Sequence, residues 1–325
     1  MSALLIFVAV PLAITCIGVL LAIALGGPAT PPAMPSINNP FKDIDHSNLP
    51  ASERYVARDG QRLAFRRYAA APEFHGAQRG SVVLVHGSSA SSSSMHTLGQ
   101  AFAAEGFGVY ALDVRGHGES GAKGHIAYVG QLECDLEDFM TAVRPQQSVT
   151  LVGFSSGGGF VLRVASSEQR ALFANYLLMA PFLGQDAPTS RPNSGGWVRV
   201  GVPRLVGVMM LKAIGIRLFD RLPVTRFALS DEARPLLTPE YSYALAQNFR
   251  PVRDYRASIR DISQPMRIVV GADDEAFVAD RYAEVFAREA KDVPVTAVPG
   301  VGHIPLTLTP AGTRAAVAAV LALSA

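Results

Sequence analysis

Cysteine and net charge are both scarce in this 325-residue chain. Its two cysteines cannot build a disulfide framework: Cys16 falls in an apolar N-terminal run and Cys134 in an expected helix, so both are read as inert thiols. Lys and Arg number 29 against 27 Asp and Glu, a formal charge of +2, and no basic-aromatic array occurs, which argues against a dedicated nucleic-acid binder. No His, Cys and Asp grouping has metal-ligand spacing, so neither a metal nor a cofactor is expected. Charged side chains are missing altogether from residues 1–27, and the nearest, Lys42 and Arg54, are balanced by Asp43 and Asp45. The positive-inside rule therefore has nothing to act on, and the side of a membrane on which the remainder lies is undetermined.

What fills that uncharged beginning is a hydrophobic run. Hydrophobic residues make up 49% of the chain, high for a soluble protein, and residues 3–25, apolar apart from Thr15, supply part of the excess. At ~1.5 Å per residue such a helix reaches roughly 34 Å, enough to cross a hydrocarbon core of about 30 Å. It is longer than an ordinary signal-peptide core and no Lys or Arg precedes it, so a retained single-pass anchor over 1–27 is expected, with a cleaved signal as the alternative. Residues 28–50, rich in proline with Asn, Ser and Thr between, read as an extended linker holding a globular domain off the membrane.

Beyond the linker, Tyr55–Tyr68 alternates around Asp59-Gly60, a hairpin signal. Short apolar runs then recur at Val82–Val85, Val109–Leu112, Val149–Val152, Tyr176–Met179, Ile268–Val270 and Val295–Val298, each of strand length and of the composition of strands buried on both faces. Between them Thr97–Glu105, Val129–Val143, Gly157–Ser166 and Val278–Ala290 have helical patterns. The alternation predicts an α/β fold, a mostly parallel sheet with flanking helices introduced by an antiparallel hairpin, over 51–180 and 261–325. The interval 181–260 is too long for an ordinary crossover and carries twelve Lys and Arg against six Asp and Glu. Trp197–Leu222 within it is apolar and helix-like, and a helical lid over the sheet's active edge is the expectation; its basic residues do not fall on the single stripe of an interfacial helix.

One motif organises the chemistry. Gly153-Phe154-Ser155-Ser156-Gly157 stands between a strand pattern and a helix pattern, the setting in which G-x-S-x-G forms a nucleophile elbow. With 29 Gly and about 24 Ser, composition alone yields roughly 0.2 such matches, so the pentapeptide needs its setting to carry weight. A serine hydroxyl also needs a base and the base an orienting group. Candidates follow two later strands: Asp274, with Asp273 and Glu275 as rivals, and His303, 29 residues further on.

From about Tyr55 onward the chain resembles the α/β-hydrolase fold family, and within it the serine hydrolases of the monoacylglycerol lipase and lysophospholipase type. The residues that carry the resemblance are His86-Gly87, Asp113-Val114-Arg115-Gly116-His117-Gly118-Glu119-Ser120, the Ser155 elbow, Gly271-x-x-Asp274 and Gly302-His303, in the family's order and spacing. Phe154-Ser155-Ser156 departs from the commoner His-Ser-Met, and Ser88–Ser94 is nearly all serine. The resemblance implies Ser155 as nucleophile, His303 as general base and acid, Asp274 as orienting carboxylate, and the backbone N–H groups of Ser88 and Ser156 as an oxyanion hole. His86 and His117 are expected to support loops; His46, His75, His96 and His125 are expected to be solvated. The implied function is a membrane-anchored serine carboxylester hydrolase acting on a hydrophobic or lipid-like ester. The same triad serving thioester, carbon–carbon or acyl-transfer chemistry, and a non-catalytic scaffold, are the alternatives.

Overall fold

A computed structural model of the chain describes residues 2–74 and 77–324; His75 and Gly76 lie outside the described residues, so the expectation for His75 is not addressed. Eight strands form the main sheet: β1 (Ser52–Val56), β2 (Arg62–Tyr68), β3 (Ser81–Val85), β4 (Gly108–Leu112), β5 (Val149–Phe154), β6 (Asn175–Met179), and, after the insertion, β10 (Met266–Gly271) and β11 (Val295–Val298). Their order is β1-β2-β4-β3-β5-β6-β10-β11, with β1 and β2 the antiparallel hairpin and the strands from β4 to β11 parallel. Every residue of β3, β4, β5 and β6 is buried, as strands covered on both faces should be. β11 departs from that expectation: it lies at the edge, paired only with β10, and exposes Thr296 and Ala297. The helices His96–Ala104 and Pro310–Ser324 pack on each other and on the sheet, whereas Ser156–Ala165 packs on Tyr255–Arg260 and on β5 and β6. Helix Arg281–Arg288 shows the usual reason for such packing: Tyr282, Val285 and Phe286, spaced by three and four, go inward.

Register aligns the carboxyl ends of the strands that matter. Val85 lies beside Gly153, Phe154 beside Met179, and Gly271 beside Val298, so the loops after β3, β5, β10 and β11 leave the sheet at one edge. The insertion arches over that edge. It holds a small antiparallel sheet of β7 (Val198–Val200), β8 (Pro223–Phe227) and β9 (Glu240–Ser242), and only one longer helix, Val202–Ala213, so it is less helical than its composition suggests. Thr238 N–H donates to the Ser89 carbonyl at 2.9 Å and Ser190 bridges Phe277, which joins the insertion to the loops after β3 and β10.

The N-terminal helix, Ser2–Leu25, is among the described residues the one long and apolar enough to cross a membrane, a property shared by anchors and signal sequences. Most of its side chains from Phe7 to Leu25 are exposed. Its last turn is not free: Ile23 is buried with Val208, Val224 and Tyr243, and the Arg204 side chain donates to the carbonyls of Ile23 (2.7 Å) and Ala24 (3.1 Å), two of the orphan acceptors every helix end carries. The proline-rich stretch that follows corrects the expectation of an extended spacer. It turns into a short helix at Pro35–Asn38 and lies against the insertion, with Ile37 in the main core.

Candidate active site

Ser155 follows β5 directly and begins the helix Ser156–Ala165 from a backbone at φ 56°, ψ −119°, a left-handed φ that an L-residue adopts only under constraint. The constraint is visible. Its N–H donates to the Met179 carbonyl at 2.9 Å, and its own carbonyl accepts from Gly159 and Phe182, each at 3.0 Å. Gly157 lets the elbow sit against the end of β3, because a Cβ there would collide with the carbonyl oxygens of Val85 and His86.

His303 reaches the same point through the turn after β11. Its Nε2 lies 3.0 Å from Ser155 Oγ and its Nδ1 2.7 Å from Asp274 Oδ2. Asp274 Oδ1 meanwhile accepts the N–H groups of Ala276 and Phe277 at 2.8 Å each, which fixes the carboxylate plane. The rivals are elsewhere: Asp273 is exposed, and Glu275 accepts the backbone N–H of His303 at 2.9 Å. All three of Ser155, Asp274 and His303 are at least nine-tenths buried, and the rings of Phe154 and Phe277 lie 4.7 and 5.2 Å from the imidazole. Ser88 and Ser156 border the space in front of Ser155, and neither backbone N–H has an acceptor among the described residues.

The supporting histidines have one tautomer each. Val114 N–H donates to His86 Nε2 at 3.2 Å, so His86 Nδ1 carries the proton and donates to the Gly87 carbonyl at 2.7 Å. Ser89 N–H donates to the Tyr241 hydroxyl at 2.6 Å, and that hydroxyl in turn donates to His117 Nε2, also at 2.6 Å. Burial lowers the pKa of both histidines, and His86 nearby lowers His117 further. Asp113 closes the serine-rich loop by accepting Ser92 N–H at 2.6 Å and Glu119 N–H at 2.9 Å. Two contributors were invisible to sequence reading: Tyr241, just described, and Trp197, whose indole donates to Ser88 Oγ at 2.8 Å. Both come from the insertion, and the sole signal was that Trp197 is the chain's only tryptophan. His46 and His125 are exposed as expected, but His96 is not: it is buried against Tyr68, whose hydroxyl lies 3.1 Å from Nδ1.

Two cavities meet at Ser155 and His303. One, with about 630 Å³ of unfilled space, is walled by apolar side chains including Met95, Leu229, Leu237 and Ile304; the other, with about 810 Å³, adds Gln185, Gln247 and Arg250 to an apolar lining. No cluster of His, Cys, Asp or Glu able to hold a metal occurs among the described residues.

Known proteins resemble this chain in sequence and in fold. A monoacylglycerol lipase of Mycolicibacterium smegmatis is 42% identical over 89 residues, 26% of this chain, and the match spans only about a third, 31%, of that relative's length. A monoacylglycerol lipase of Paleococcus ferrophilus superposes with a TM-score of 0.59 at 21% identity, over 80% of this chain and 99% of the other. A soluble variant of the Saccharomyces cerevisiae monoglyceride lipase does so with a TM-score of 0.64 at 17% identity, over 86% and 97%. At such identities the superpositions speak for the fold alone. The family model described as serine aminopeptidase, S33, matches residues 76–307, more than two thirds of the chain. With that match, and with an α/β-hydrolase sheet carrying it, the chain belongs to the S33 serine aminopeptidase family of α/β-hydrolases.

Proposed function

We propose that the protein is a membrane-anchored serine hydrolase that cleaves carboxylic esters of hydrophobic, lipid-like acids through Ser155, His303 and Asp274. The observation that carries the reading is the unbroken contact from hydroxyl to imidazole to carboxylate, 3.0 Å and then 2.7 Å. In the first step the Ser155 Oγ–H proton passes to His303 Nε2 as Oγ bonds to the acyl carbon, and the carbonyl π pair moves onto oxygen. The backbone N–H groups of Ser88 and Ser156 receive that oxyanion, each worth about 3 kcal/mol in the transition state. Collapse breaks the bond to the alcohol oxygen, which takes the proton from His303 and leaves an acyl-enzyme. Water then repeats the sequence, its proton going to His303 and its oxygen to the acyl carbon, and the acid is released. Asp274 holds Nδ1–H throughout, so that Nε2 always faces the serine.

Ester rather than peptide chemistry follows from what lines the site. An aminopeptidase must pair the ammonium of its substrate, yet among the described residues neither cavity wall contains an Asp or Glu side chain. The walls are mostly apolar, and the exposed N-terminal helix supports a membrane location from which a lipid ester would come. The test is turnover of p-nitrophenyl esters by the full-length protein in detergent. Hydrolysis is expected, with Ser155→Ala lowering kcat about a millionfold. A variant that retains wild-type turnover would overturn the assignment.

A further inference from the structure

We propose that residues 34–41, which join the N-terminal helix to the core, form a wall of the acyl-binding cavity and set the length of acyl chain the protein accepts; this rests on the ester-hydrolase reading above. The stretch precedes residues 76–307, over which the family model matches, so it lies outside the part of the chain that the family model describes. It is held, not draped. Met34 N–H donates to the Ala228 carbonyl at 3.0 Å; Asn38 Nδ2 donates to the carbonyls of Met34 (2.7 Å) and Ala228 (2.8 Å); and Ser230 N–H donates to Asn38 Oδ1 at 3.0 Å. That clamp points Ile37, which is buried in the main core, and the half-buried Phe41 into the cavity whose inner end is Ser155 and His303.

The acyl chain belongs in this cavity because Ile37, Phe41, Met95, Leu229, Leu237 and Ile304 line it and, away from the triad, its polar groups are only Asn38 and small hydroxyls, whereas the other cavity presents Gln185, Gln247 and Arg250, which suit the oxygens of a leaving alcohol. Phe41 has a second position of consequence. With Asn38, Ala90, Ser94, Ala233 and Leu237 it also lines a larger surface groove of about 1490 Å³, so it stands where the cavity opens outward. A chain long enough to fill the cavity must pass it. Ile37 lies deeper, and filling its place with a larger ring shortens the space available.

The experiment is the ratio of kcat/KM for p-nitrophenyl palmitate over p-nitrophenyl butyrate, measured with the full-length protein in detergent. Ile37→Trp is expected to lower that ratio by about tenfold, the scale on which an apolar pocket discriminates by size, and Phe41→Ala to raise it. Opposite shifts from two neighbouring positions cannot come from misfolding. Ratios equal to wild type, or both variants losing activity equally on the two esters, would overturn the proposal while leaving the hydrolase reading intact. A wild-type protein that cleaves neither ester would overturn both.

Discussion

At the scale of single residues, the site is built from a few side chains whose protonation is fixed by their partners. His86 and His117 each accept a hydrogen bond at Nε2, with ring centroids 4.7 Å apart, and a second proton on either would displace a donor. Their pKa values lie below the ordinary 6.5 chiefly through burial. The unfolded chain therefore takes up protons below about 6.5 that the folded chain refuses, and stability is full above that value and falls as the pH drops through it. The melting temperature is expected to fall between about pH 7.5 and pH 5.5, and to fall less in His117→Gln; identical pH slopes for the two proteins would contradict this. Ser155, Asp274 and His303 were legible in the sequence because each follows a strand in a short motif with glycine at a fixed offset. Tyr241 and Trp197 were not, since what brings them to the loop after β3 is the path of the insertion, which no local pattern encodes. His96 was misread for a related reason: a polar helix start says nothing of Tyr68 closing over it from β2.

At the scale of elements, periodicity served where burial is two-sided and failed where an element borrows its partner from far away. The runs that became β3 to β6 and β10 are near-continuously apolar because both their faces are buried, and their composition says so. The proline-rich stretch has the composition of a spacer, and only the edge of the insertion, some 190 residues later, converts it into a packed element. Asn38 is where that conversion is made. Truncating it removes three hydrogen bonds and leaves the Ser230 N–H without its acceptor, so Asn38→Ala is expected to destabilise by about 1–3 kcal/mol. Thermal or denaturant unfolding reads this directly, and an unchanged midpoint would mean that the stretch is a passive tether.

At the scale of the whole molecule, the N-terminal helix and the insertion share one small core around Ile23, Val208 and Val224, so that helix is joined to the insertion over the site. Helix Val202–Ala213 turns Val202, Val206 and Met210 outward beside it, and Ile214 and Leu218 continue the exposed apolar edge. On the proposed reading, a lipid ester would meet the two cavities from the side on which this helix lies. The central claim is that Ser155 is the one activated hydroxyl of this assembly. The most direct measurement is to treat membranes carrying the full-length chain with a fluorophosphonate and locate the adduct by peptide mass. One phosphonyl group on Ser155, absent from His303→Ala, is the result predicted; a folded chain left unlabelled, or one labelled at another serine, would contradict it.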